Sequence, residues 1–288
     1  HEGAWLQAQD LLVDHIAADD QLQNGGSALS VVQGARATIE RSRFTRSKTY
    51  AVEGEDAATQ LLLAGVLIDT TRSATVNGGH GNGVQVSHGA GLLMVGCALQ
   101  DNRYAGVMVG LKGSHATVAG SRISATRSAV LSAVTAADFD PGGVGVAAIG
   151  TARIELVDSV VEDSHTGGVL FHGGHGVVRG CVIRDTRGAL YRVTDKQSWF
   201  GDGILVHGTT DVHVRETFVS GSARAGLLAS KASQIFVGAT RASDNAWGLA
   251  TAQATVEFPS PNGWFNNTIA NVAGDLALPV PVVPTLAQ

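Results

Sequence analysis

Hydrophobic and polar positions along this chain recur with one long period. A glycine followed by an aliphatic residue opens an apolar run at Gly83-Val84, Gly106-Val107, Gly145-Val146, Gly168-Val169, Gly203-Ile204, Gly226-Leu227 and Gly248-Leu249. Successive openings lie 23, 39, 23, 35, 23 and 22 residues apart, so the two long intervals are one period lengthened by 16 and by 12. Counting back by 23 from Val52 reaches Leu29 and then Leu6, both aliphatic. A second mark keeps the same register. Phe44, Ile68, Leu99, Ile123, Val161, Ile183 and Val219 follow fourteen to sixteen residues after the openings. Three residues further on stands a small polar residue: Ser47, Thr71, Asn102, Thr126, Ser164, Thr186, Ser222 and, in the next repeat, Asn245.

Between these marks the chain alternates apolar and polar, as in Asp211-Val-His-Val-Arg215 and Ala152-Arg-Ile-Glu-Leu156. That alternation reads as a strand with one face buried. Three short strands per ~23 residues, with turns too short for crossover helices and no amphipathic helical stretch, leave coiling as the way to build parallel sheets. The pattern predicts an all-β solenoid of about ten rungs, one unit over residues 1–275, with a small polar side chain stacked at one corner as a hydrogen-bonded ladder.

Composition sharpens this. The chain has 288 residues, 44% of them hydrophobic but only 5% aromatic, and 37 glycines, as many short strands and tight turns require. A net charge of −5 argues against nucleic acid or an anionic membrane surface as partner. No apolar run is long enough to cross a bilayer. No targeting segment is recognisable, and the chain opens at His1-Glu-Gly-Ala-Trp without a capping element, so a mature or excised form of a secreted or surface protein is expected. Phe258, Trp264 and Phe265, with Pro259 and Pro261, are the expected cap over residues 258–275, and Leu278–Pro284 lies in an extended tail, 276–288. Only Trp5 is available to cover the other end, which predicts a missing cap or one supplied by another chain. Cys97 and Cys181 share a repeat position three rungs apart, ~14 Å, too far for a disulfide.

The repeat resembles those of right-handed parallel β-helix proteins of the pectate-lyase-like kind, over residues 5 to about 258. The resemblance implies the right-handed coil and leaves activity open, because such coils carry lyases, hydrolases, epimerases, adhesins and stalks alike. Val13-Asp14-His15 resembles the aspartate–histidine strand of pectate lyases, but their Arg-x-Pro-x-x-Arg context has no counterpart here. His80 and His175, each in Gly-His-Gly, resemble one polygalacturonase motif. Gly201-Asp202-Gly203 follows both copies and no paired aspartates precede them, so the family's order is broken.

Candidate chemistry sits where the repeat is interrupted. Insertions at 72–82, 127–144 and 187–202 all leave from the corner after the polar ladder, and the last two should wall a groove around the turn carrying His165. One wall offers Asp138 and Asp140; the other offers Tyr191, Arg192, Asp195, Lys196, Trp199 and Asp202. Carboxylates, a histidine and aromatic platforms suit a carbohydrate groove, with Asp138, Asp140, Asp195 or Asp202 as acid and base and His165 assisting; the same carboxylates suit Ca²⁺. His172 and His207 should stack on adjacent rungs, as metal ligands or as a neutral ladder, while His213 and Glu155 read as ordinary surface. Beside each opening residue, Gln85, Met108, Ala147, Leu170, Leu205, Leu228 and Ala250 form an apolar stripe on a face expected to meet water. It would be covered by the tail, a partner or a second copy, and both stripe and uncapped end are candidate self-association surfaces. The sequence therefore predicts a secreted or surface solenoid that binds or scaffolds, toward polysaccharide or a neighbouring protein. The alternative is a polysaccharide lyase or glycoside hydrolase in the loop-walled groove.

Overall fold

The structure, a computed structural model, describes residues 3–16, 26–72, 81–128, 142–193, 196–209 and 211–274, the side chains of 189–199 excepted. The chain winds through three parallel sheets of 10 strands each. The first sheet runs from Trp5–Gln9 to Thr255–Glu257, the second from Leu12–Asp14 to Gly263–Phe265, and the third from Leu29–Val31 to Ala270–Ala273. No helix occurs among the described residues. Each strand pairs in register with its equivalent one turn earlier, as Val107 with Val84 and Val146 with Val107. The chain is a right-handed parallel β-helix of about ten rungs.

The core is built from columns of equivalent residues. Phe44, Ile68, Leu99, Ile123, Val161, Ile183 and Val219 point inward from the second sheet, and Val84, Val107, Val146, Val169, Ile204 and Leu227 from the third. Two corners turn by the same device: one residue in the left-handed region, then a small buried one. At the first-to-second corner these are Gly96 then Cys97, and Asp158 then Ser159; at the second-to-third they are Asp101 then Asn102, and Asp163 then Ser164. Gly and Asp tolerate that conformation best, which explains their recurrence there.

The glycines that open the third-sheet strands serve close approach instead. A Cβ on Gly106 would stand 2.6 Å from the Gly145 carbonyl, and one on Gly203 2.7 Å from that of Gly226.

The polar columns differ in part from the expected ladder. At the first-to-second corner the bonds form, with Cys97 N–H donating to Ser121 Oγ at 3.1 Å and Ser121 N–H to Ser159 Oγ at 3.1 Å. At the second-to-third corner such bonds close on Asn245, from Ser222 N–H at 2.8 Å, and on Asn267, from Asn245 N–H at 3.1 Å. Ser47, Thr71, Asn102, Thr126, Ser164, Thr186 and Ser222 there keep a buried side-chain polar atom without a protein partner. Both cysteines are free and buried, and burial pushes both thiols up, that of Cys181 to about 11.

The apolar stripe does not meet water. Met108 is 3% exposed, Leu205 4% and Leu228 2%, buried within this chain in clusters apart from the main core. Inside and outside are as the repeat predicts, but outward residues in the middle of the third sheet are buried too, as in parallel sheets generally. Of the expected capping residues, Trp264 and Phe265 lie in the strand Gly263–Phe265, and Phe258 meets the Trp264 ring edge-on at 6.4 Å. The tail 276–288 lies outside the described residues.

Gly203→Ala is expected to lower stability by roughly 1–3 kcal/mol in urea titrations, because the methyl meets backbone. Gly120→Asn, at a left-handed corner with nothing within 4 Å of a Cβ, should be close to neutral.

Candidate functional site

The insertions leave from the predicted corner, between strands Arg122–Ser124 and Val144–Ile149 and between Val182–Arg184 and Asp202–His207. The last forms an antiparallel hairpin, Ala189–Val193 with Lys196–Phe200, whose register sets Tyr191 opposite Ser198, Arg192 opposite Gln197 and Leu190 opposite Trp199. Asp138, Asp140 and Asp195 lie outside the described residues, as do the side chains of Tyr191, Arg192, Lys196 and Trp199.

Asp202 is fully buried at the start of its strand. One oxygen accepts from Arg224 Nε at 2.8 Å and from the Ala225 N–H at 3.3 Å, the other from Arg224 Nη2. Arg224 is itself 4% exposed at its side chain and lies over the Phe200 ring at 5.6 Å. General acid–base work needs a carboxyl oxygen that a sugar can reach, and Asp202 offers none; its geometry is that of a structural ion pair. His165 is half-buried on the neighbouring rung. Burial, together with Arg127 and Arg187, pushes its imidazole below the ordinary range. Asp163 accepts from Arg127 at 2.9 Å and also from Arg187.

The predicted histidine stack is present: His172 and His207 lie face to face with centroids 4.9 Å apart. Stacked rings do not converge their lone pairs on one ion, and no group of three or more metal-ligating side chains occurs among the described residues. His207 Nδ1 meets Ser230 Oγ at 2.9 Å, and burial lowers both imidazoles to about 4. Asp14, in the pectate-lyase-like tripeptide, accepts from Arg46 and Thr45, which hold its carboxyl well below the carboxylate range.

A site that sequence reasoning passed over lies on the outer face of the first sheet. There Arg153, Gly176, Val177, Arg179, Asp211, His213 and Arg215 line a cavity of about 390 Å³. Three successive strands supply it: Arg153–Val157, His175–Arg179 and Val212–Arg215. The register sets Val177 beside Glu155 and His213, and Arg179 beside Arg215, so a short side chain floors the cavity between longer ones. Asp211 Oδ1 lies 2.9 Å from His213 Nε2, and His213 Nδ1 lies 3.3 Å from Arg215 Nη2. Phe236, one rung on, stacks on His213 at 4.6 Å. Arg153 reaches Glu155 at 3.1 Å, whereas Arg179 has no ion pair among the described residues. Guanidiniums lining a concave, partly apolar surface favour a planar anion such as a carboxylate. The signal was present in the alternation of Asp211-Val-His-Val-Arg215, but a charged outward face reads as plain surface until its neighbours are known.

The family described as the right handed beta helix region matches residues 64–197, just under half of the chain, in keeping with the coil described above. Among solved structures, the periplasmic alginate epimerase AlgG superposes with a TM-score of 0.53 at 11% identity, over 80% of this chain and 50% of its own. Pectate lyase Pel9A does so with a TM-score of 0.51 at 13% identity, over 84% of this chain and 64% of its own. The chain thus spans between half and two thirds of their lengths, and identities this low establish the shared coil alone. Comparison with curated proteins gave no match.

Two expectations follow. Asp202→Ala should cost about 3–5 kcal/mol of stability, because it strands a buried guanidinium; denaturant titration reads this. The His172–His207 stack is neutral in the fold, so between pH 6.5 and about 4 the unfolded chain binds more protons than the folded one. That stability is complete above pH 6.5 and is lost as pH falls toward 4; His172→Phe with His207→Phe should flatten the fall in denaturation midpoint over that window.

Proposed function

We propose that this solenoid is an extracellular or cell-surface binder of acidic polysaccharide, which it holds across the first sheet. The observation that carries the reading is the cavity that Arg153, Arg179 and Arg215 line together with Gly176 and Val177. A uronate carboxylate placed there receives charge-assisted hydrogen bonds, and the sugar ring rests on the apolar floor. Alginate and pectate, in the names of the two structural neighbours, are polymers of this class and support the choice of ligand. A scaffold for a neighbouring protein would use the same surface without selecting for uronates.

A second reading, a polysaccharide lyase, is favoured by the contact between Asp211 and His213. A uronate held by its carboxylate carries an acidified proton on the adjacent carbon, and the imidazole of His213, oriented through Nε2 by Asp211, is suited to remove it at Nδ1 once Arg215 turns from that nitrogen to the sugar carboxylate. The released electron pair forms the carbon–carbon double bond, and the glycosidic oxygen leaves from the neighbouring carbon with a proton. In a loop-walled groove between 127–144 and 187–202, His165 would be the assisting base.

Affinity electrophoresis and calorimetry against polygalacturonate, alginate and a neutral glucan test the first reading. Binding should be confined to the acidic polymers and fall at least tenfold in Arg179→Ala with Arg215→Ala, each lost bond to a charged group costing about 1.5–3 kcal/mol. Equal binding of the neutral glucan, or no loss in the double variant, would contradict it. Ultraviolet-absorbing unsaturated products that vanish with His213→Ala would establish the lyase.

A further inference from the structure

The corner between the second and third sheets carries a second feature. Immediately after each buried polar residue stand Lys48, Arg72, Arg103, Arg127, His165 and Arg187, one per rung on six successive rungs. Backbone bonds stack them in register. Arg72 N–H donates to the Ser47 carbonyl at 2.8 Å, Arg103 to Thr71 at 3.0 Å, Arg127 to Asn102 at 2.8 Å, His165 to Thr126 at 3.0 Å and Arg187 to Ser164 at 2.8 Å. The column therefore advances ~4.8 Å per residue along the solenoid axis.

Its charge is only partly compensated. Asp101 lies 3.6 Å from Arg72, and Asp163 bridges Arg127 and Arg187. Arg103 has no ion pair among the described residues. Nη1 of Arg127 is buried without a hydrogen-bond partner, which is costly for a charged donor. The side chains of Arg72 and Arg187 are 43% and 56% exposed. A cationic file of this length stands out on a chain whose net charge is −5.

We propose that this corner is a second track for an acidic polysaccharide, along which successive anionic groups of one extended polymer meet the column from Lys48 to Arg187. The rung spacing is comparable to the length of a pyranose residue in an extended chain, so charge and repeat match together. A nucleic acid offers the same charge at a different repeat and needs several stacking surfaces, and the column holds no Phe, Tyr or Trp. The track lies across the coil from the first-sheet cavity and does not depend on it, so a chain using both holds two polymers.

The test is calorimetry with oligogalacturonates of graded length on the full chain carrying Arg179→Ala and Arg215→Ala, which removes the groove. Binding should persist, tighten with length up to about the six rungs of the column, and fall on the order of tenfold when Arg103→Gln and Arg187→Gln are added. Arg43→Gln, which deletes an exposed cation elsewhere on the second sheet, should leave it unchanged. Loss of all binding in the groove variant overturns the track while leaving the groove reading intact. Length-independent binding, an equal effect of Arg43→Gln, or equal affinity for single-stranded DNA of matched charge also overturns it. Circular dichroism of each variant separates loss of binding from loss of fold.

Discussion

Everything in this molecule depends on the parallel backbone ladder that joins each rung to the next in register. Because a parallel strand meets its own structural equivalent ~4.8 Å away, every position of the repeat becomes a column. A column accepts only what can stack on itself, so inward positions become aliphatic files and corners become files of Gly, Asp, Ser, Thr and Asn. Charge is subject to the same rule. Like charges in one column repel unless carboxylates are interleaved or a ligand is supplied, and both charged surfaces of this chain are unusual in keeping guanidiniums in excess.

The ladder also sorts the buried polar groups. Asp202 with Arg224 is inside and fully paired, which makes it part of the frame. Glu162, 9% exposed at its side chain, is held below the ordinary range although burial opposes this, because Arg184 and Arg122 both donate to it. The outward guanidiniums at Arg179 and Arg103 lack such partners among the described residues. The distinction between structural and available charge is one of packing, and residue type alone does not carry it.

That difference explains what was readable in advance. The period, the three strands per rung, the corner of the insertions, the free cysteines and the stacking of His172 on His207 all follow from one-dimensional repetition, which a sequence displays directly. The stripe from Gln85 to Ala250 is readable as outward but not as largely buried, because burial depends on contacts that the repeat does not display. Asp202 was taken for an exposed acid because Arg224, its partner, stands 22 residues on, one rung away. The first-sheet cavity needs Val177 to be short where Glu155 and His213 are long, a cross-rung contrast invisible within any single repeat. The basic column was readable in principle, since Lys48, Arg72, Arg103, Arg127, His165 and Arg187 each follow a ladder residue.

The central claim is that columns of outward cations on this coil recognise acidic polysaccharide. A crystal structure of the chain soaked with an oligogalacturonate tests it most directly. The account predicts a sugar carboxylate within hydrogen-bond distance of Arg179 and Arg215 above Val177. An oligosaccharide seated away from both that cavity and the column from Lys48 to Arg187 would contradict it.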